Sequence, residues 1–186
     1  AQATSAQGGS GWPSMPPAPS PPDDDHFLKL AIEEARAGAS QGGIPIGALL
    51  VRRDGTILGR GCNQRVQKGD PILHGETAAL QNAGRLEASV YRECTMYTTL
   101  SPCAMCTGAM LLFGIPRCVI AENRTFMGEE GLLKERGVEV AYGSRKSEAE
   151  ARALMDAFIE RRPDVWWEDI GTTGAEHEGK GQASPG

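Results

Sequence analysis

The stretch "CTMYTTLSPCAMCTGAMLLFGIPRCVIA", Cys94 to Ala121, reads as a strand, a helix and a second strand in immediate succession. "CTMYTTL" is β-branched and aromatic, the composition of a half-buried or buried strand. Ser101 reads as an N-cap with Pro102 at the first helical position, where its missing N–H is not needed, and Gly114 reads as the stop. "RCVIA" is the next strand. Sequential strands joined by a helix pair in parallel, and a parallel pair needs helices over its faces.

The flanking sequence supplies them. Asp23, Asp24 and Asp25 open a helix whose face is Leu28, Ala31, Ile32, Ala35 and Ala39, and the three carboxylates read as caps and solvated charge at a helix N-terminus. "IGALLVRRDGTILGRG" is two apolar runs around Asp54-Gly55, the signature of a β-hairpin. "HGETAALQNAG" has helical spacing with Gly84 as its stop. After Ala121 come a short helix "EEGLLKERG", a strand "VEVAY" and a helix "SEAEARALMDAFIERRP", with Ser147/Glu150 as a capping box, an apolar face at Ala151, Leu154, Met155 and Phe158, and Pro163 as its end. The order predicts an α/β fold: a three-layer α/β/α domain around a central mixed sheet of about five strands, parallel in its later half.

The chain's 186 residues, 40% hydrophobic and 23% charged, suit one domain with tails. Residues 1–22 are rich in Pro, Gly and Ser and read as a disordered extension or linker; residues 171–186 read as a disordered tail. The folded unit is expected over 23–170. No apolar run approaches the roughly 18 residues of a membrane span, and the first residues lack the plan of a signal peptide. A cytoplasmic home is expected, with the nucleus as the second compartment. Five scattered cysteines in a chain of this size argue against a disulfide framework, and a net charge of -5 without a basic block is a poor footprint for a nucleic-acid backbone. A small neutral substrate fits better.

The pair Cys103 and Cys106 could open a redox couple, half of a structural zinc site or a catalytic metal site. On a helix the two sulfurs lie one turn apart and face one side. His74, at the start of the other helix, adds an imidazole, and Glu76 follows on the same turn. No second CxxC or HxxxH completes a closed site, so one position is left for water, as a hydrolytic zinc requires. H-x-E followed by P-C-x-x-C is the signature of zinc-dependent nucleobase deaminases.

With these residues the chain resembles the fungal cytosine deaminases, within the wider cytidine deaminase superfamily. The resemblance runs through "GGIPIGALLV", "DGTILGRGCNQRVQKG", "LHGE", "GRLE", "YTTLSPCAMCTGAM", "GIPRCVIAEN" and "WWEDIG". It implies a homodimer that hydrolyses free cytosine, and 5-substituted cytosines, to the uracil and ammonia. It also implies Zn2+ on His74, Cys103 and Cys106, with Glu76 as the proton shuttle. Asn63, Gly75, Asp169, Phe126 and Trp166 match substrate-contacting positions: an amide at the ring edge, a carboxylate near the exocyclic amine, and aromatics over the base.

Taken alone, these residues have plainer readings. Asn63 is a turn residue, Asp169 a surface carboxylate, Phe126 core, and Trp166 and Trp167 packing for the C-terminal segment. Cys62, Cys94 and Cys118 read as small buried hydrophobes, and His26 and His177 as exposed. A lid made by "WWEDIG" leaves little room for a ribose. "GDPILHGE", with Asp70-Pro71 before the histidine, resembles instead the run in guanine and tRNA adenosine deaminases, the alternative reading alongside cytidine.

Overall fold

The structure, a computed structural model, describes residues 23–172. The extension 1–22, most of the expected tail and His177 lie outside the described residues. In chain order the elements are α1 (Asp24–Ser40), β1 (Gly47–Arg52), β2 (Ile57–Cys62), α2 (Arg65–Lys68), α3 (Gly75–Ala83), α4 (Ala88–Tyr91) and β3 (Cys94–Leu100). They continue with α5 (Ala104–Phe113), β4 (Arg117–Glu122), α6 (Glu130–Glu135), β5 (Glu139–Tyr142), α7 (Arg145–Arg161) and α8 (Pro163–Asp169).

The sheet runs β2-β1-β3-β4-β5. β1 pairs antiparallel with β2 and β3, while β3–β4 and β4–β5 are parallel, which is the mixed sheet the sequence predicts. Strand side chains alternate between faces. Ala48, Leu50, Met96, Cys118 and Ile120 pack toward Ala79 of α3, Met110 of α5 and Leu133 of α6. Leu49, Val51, Tyr97 and Val119 pack toward Phe27, Leu28 and Ala31 of α1 and Ala151 of α7. Three layers follow from that alternation.

α3 rests directly on β2. A Cβ on Gly61 would lie 2.5 Å from the Ala79 nitrogen and 2.6 Å from the Ala78 Cβ, so only glycine admits the helix at this depth. Antiparallel pairing of β1 with β2 and β3 brings Ile46, Asn63 and Leu100 to one edge of the sheet. There α8 docks, in a core of Ile44, Ile46, Leu100, Met155, Phe158 and Trp166. A crevice outside the carboxyl ends of parallel strands is where open α/β sheets place ligands.

Four local expectations are corrected. Ser101 is not an N-cap, because its N–H bonds the Glu122 carbonyl at 3.0 Å and its hydroxyl bonds Glu130 at 2.8 Å while accepting the Gly128 N–H at 3.0 Å. These ties hold residues 101 and 102 in the loop, and α5 begins at Ala104 with Cys103 as its N-cap residue. The cap of α7 is Ser144, not Ser147. Pro163 does end α7, but as the first residue of α8, an N1 proline that makes "WWEDIG" largely helical.

The aspartates at the start of α1 are also more than solvated caps. Asp23 does accept the His26 N–H, but Asp24 grips the Arg117 guanidinium at 2.8 and 2.9 Å and accepts the Tyr97 hydroxyl at 2.9 Å. Asp25 accepts the Ser144 N–H at 2.9 Å and the Ser147 hydroxyl at 2.8 Å, tying α1 to the start of α7.

Candidate active site and metal centre

His74 is the N-cap residue of α3 and Cys103 that of α5, both in extended backbone, and Cys106 lies in the first turn of α5. Their ligand atoms all lie within 4.8 Å of one another, and no other His, Cys, Asp or Glu among the described residues joins the cluster. His74 Nδ1 is 3.5 Å from the Cys103 sulfur, while its Nε2 is 3.6 Å from Asp169 Oδ1. The ring thus turns one nitrogen to the thiols and the other to a carboxylate, the arrangement that orients a metal-ligating imidazole. One imidazole and two thiols converging with a fourth position free fit zinc by donor chemistry and by number.

The thiols are electrostatically unequal. Cys106 donates to the Cys103 sulfur, which outweighs burial and, with His74 beside it, brings the Cys103 pKa down to about 4. As the donor, and deeply buried, Cys106 is pushed up. Placement at the start of α5 favours the thiolate further, because the N-terminal end of a helix carries partial positive charge.

Glu76, in the first turn of α3, is 3% exposed and outside the ligand cluster. Thr98, mid-way along β3, donates to its Oε1 at 2.9 Å. Burial, and then the negative charge at Cys103, push the carboxyl up from the ordinary glutamate range.

A cavity of about 20 Å³ adjoins these groups, lined by His74, Glu76, Cys103, Phe126, Trp166 and Asp169 of the predicted residues. Trp166 and Asp169 lie one turn apart on α8 and share a face. Phe126 meets Trp166 edge to face at 6.2 Å. Trp166 is 1% exposed, so its packing and cavity readings hold together.

Asn63 stands behind the lining. Its Nδ2 donates to Asp169 Oδ1 at 3.0 Å, and its Oδ1 accepts the Arg65 N–H at 3.1 Å, so it is also the turn residue its loop position suggests. Gly75 does not line the cavity. It packs on β1, where a Cβ would lie 3.3 Å from the Ile46 carbonyl oxygen, and it lets α3 carry His74 and Glu76 to the sheet.

Sequence reasoning missed Ile46, Leu100 and Ser101, which also line the cavity, as does Ile170 of the "WWEDIG" segment expected to cover it. Their signal was positional: each sits at the end of an element that reaches the crevice edge. A much larger groove, about 850 Å³, runs along α3, α4 and α5 between Leu80, Tyr91, Leu111 and Phe113, away from the cluster. It has apolar walls and two arginines, with no set of groups for catalysis.

Residues 21–122 match the cytidine and deoxycytidylate deaminase zinc-binding region. The cytosine deaminase of Candida albicans is 51% identical over 149 residues, covering 80% of this chain and 97% of that protein. A tRNA-specific adenosine deaminase of Streptococcus pyogenes is 35% identical over 115 residues, 60% of this chain and 71% of the relative. Among solved structures, a chain bound to 8-azaguanine superposes with a TM-score of 0.65 at 25% identity, covering 75% of this chain and 85% of its own.

Proposed function

We propose, on the premise that this chain belongs to the cytidine and deoxycytidylate deaminase zinc-binding family, that it is a hydrolase that converts free cytosine to uracil and ammonia. The observation that carries the free-base reading is the cover that Phe126, Trp166 and Ile170 form beside His74, Glu76 and Cys103, a close enclosure that favours a bare base over one carrying a ribose or a strand. The identity to a cytosine deaminase over nearly its whole length supports the same substrate, and 5-substituted cytosines fall in the same class. The adenosine and guanine readings draw on more distant relatives and on the Asp70-Pro71 run.

His74, Cys103 and Cys106 would hold the zinc, which would supply a water acidic enough to serve as nucleophile near neutral pH. Glu76 takes a proton from the attacking water, hands it to ring N3, and carries the second to the amine leaving C4. Its burial suits a group that must both accept and release a proton, and Thr98 fixes its Oε1. Asp169 receives the exocyclic amine, braced from behind by Asn63, with Phe126 and Trp166 over the face of the base. Gly75 acts by letting α3 reach β1.

The protein works in the cytoplasm as a homodimer, and the groove along α3 and α5 supports the second point. Leu112 is 77% exposed there beside the stacked Tyr91–Phe113 pair, an apolar face suited to burial against a second copy. No helix among the described residues is long and apolar enough to cross a membrane. The deciding test is zinc-loaded protein assayed on cytosine, cytidine, guanine, adenine and a short single-stranded oligonucleotide, following ultraviolet change and ammonia. Cytosine alone is expected to turn over; activity on cytidine or the oligonucleotide with none on cytosine would overturn the free-base reading.

A further inference from the structure

Arg65 opens α2, two residues after Asn63. Its Nη1 donates to Asp169 Oδ1 at 3.1 Å across 104 residues of sequence, pairing a side chain 21% exposed with one 3% exposed. Asn63 Nδ2 donates to the same oxygen, and Asn63 Oδ1 holds the Arg65 backbone N–H. Asn63 thus sets where Arg65 begins, and both side chains converge on one carboxylate oxygen.

A guanidinium donor holds a buried carboxylate oxygen in place through a charge-assisted hydrogen bond. Among the described residues, the ion pairs to Asp169 come from Arg65 and, at 3.6 Å, His74. The Arg65 contact, at 3.1 Å, is a hydrogen bond, whereas the His74 nitrogen at 3.6 Å lies beyond that distance. The charged donor that fixes Asp169 Oδ1 is therefore Arg65. With Oδ1 taken by these donors, Oδ2 is the oxygen left for a ligand.

We propose that Arg65 is a positioning residue for substrate selection: with Asn63 it fixes Asp169 Oδ1, so that the free oxygen is turned to receive the exocyclic amine. This rests on the reading of Asp169 as the amine-facing group in cytosine deamination.

The test uses the full zinc-loaded chain as Arg65→Ala, Arg65→Lys, Asp169→Asn and the Arg65→Ala/Asp169→Asn double variant, each checked for zinc content and thermal midpoint. Steady-state kinetics on cytosine are set beside the Kd of pyrimidin-2-one, which lacks the amine. Arg65→Ala is expected to raise the cytosine KM roughly 10-fold to 100-fold, the worth of a charge-assisted bond, with a smaller change in kcat. The Kd of pyrimidin-2-one should stay within about threefold, a difference too small for a lost charge-assisted bond. Arg65→Lys or added guanidinium ion should restore part of the loss, and the double variant should be no worse than Asp169→Asn.

Equal weakening of cytosine and pyrimidin-2-one, or losses that multiply in the double variant, would overturn the proposal. Unchanged kinetics in Asp169→Asn would instead overturn the assignment of Asp169 beneath it. Should Arg65→Ala fail to fold, Arg65→Gln, which keeps a donor without the charge, carries the same comparison.

Discussion

Thr98→Val removes one hydroxyl and little else, which makes it a direct measure of how tightly Glu76 must be held. The Thr98 hydroxyl lies 2.9 Å from Glu76 Oε1 and 3.0 Å from the Leu100 carbonyl, and its single proton serves one of them at a time. A charged carboxylate is the stronger acceptor, so the bond to Glu76 prevails while that group is ionised. Thr98 is 0% and Glu76 3% exposed, so water does not replace the lost donor. A hydrogen bond to a charged group is worth about 1.5–3 kcal/mol, which at ~1.4 kcal/mol per tenfold predicts a fall in kcat/KM of roughly 10-fold to 150-fold. The assay is steady-state deamination of cytosine with metal content and thermal midpoint measured on the same preparation. A kcat/KM within about twofold of the parent, with zinc retained, would refute the reasoning, since the bond would then have no part in setting Glu76.

Glu76→Gln should lose about 10²-fold to 10⁴-fold in kcat while binding zinc as before, read by turnover and metal analysis. Zinc removal with a chelator should abolish deamination and lower the thermal midpoint, both restored by one equivalent of zinc per chain; a midpoint indifferent to zinc would count against a site built from two separate helix starts. Trp166→Ala should destabilise the chain by roughly 3–5 kcal/mol in denaturant titration and raise KM for cytosine. A stability contribution from Asp24 should disappear in acid. Burial alone would raise its pKa, but the Arg117 and Tyr97 contacts outweigh that and hold it below the ordinary aspartate value of 3.8. A depressed folded-state pKa stabilises above the unfolded value and is lost as pH falls through the folded one. Unfolding free energies of the parent and Asp24→Asn should therefore converge below about pH 4, and curves that stay parallel there would contradict it.

The sheet, its order of elements and the metal cluster were legible because each has a local signal: apolar and β-branched strand runs, glycine stops, and ligands at two helix starts. Helix beginnings were less legible. Ser101 and Ser147 have the composition of caps, yet Glu122, Gly128 and Glu130 claim the first and Asp25 the second, all partners distant in sequence. Only a folded sheet brings those competitors within reach. The same limit hid part of the cavity wall, since Ile46 and Leu100 are ordinary apolar residues until the strand ends meet α8. It also hid Arg65, whose partner is 104 residues away.

That the ligand residues cap two different helices couples metal affinity to the assembly of the molecule. β3, α5 and β4 are contiguous and can bring Cys103 and Cys106 together early, but His74 arrives only when α3 has seated on β1 and β2. Before that the chain offers two thiols, a weak and unselective chelate; afterwards it offers three donors and a free position. Loosening of the α3–sheet seam, at Gly61 for instance, would therefore appear as zinc leaking from an otherwise folded protein. Metal retention thus reports on packing remote from the ion.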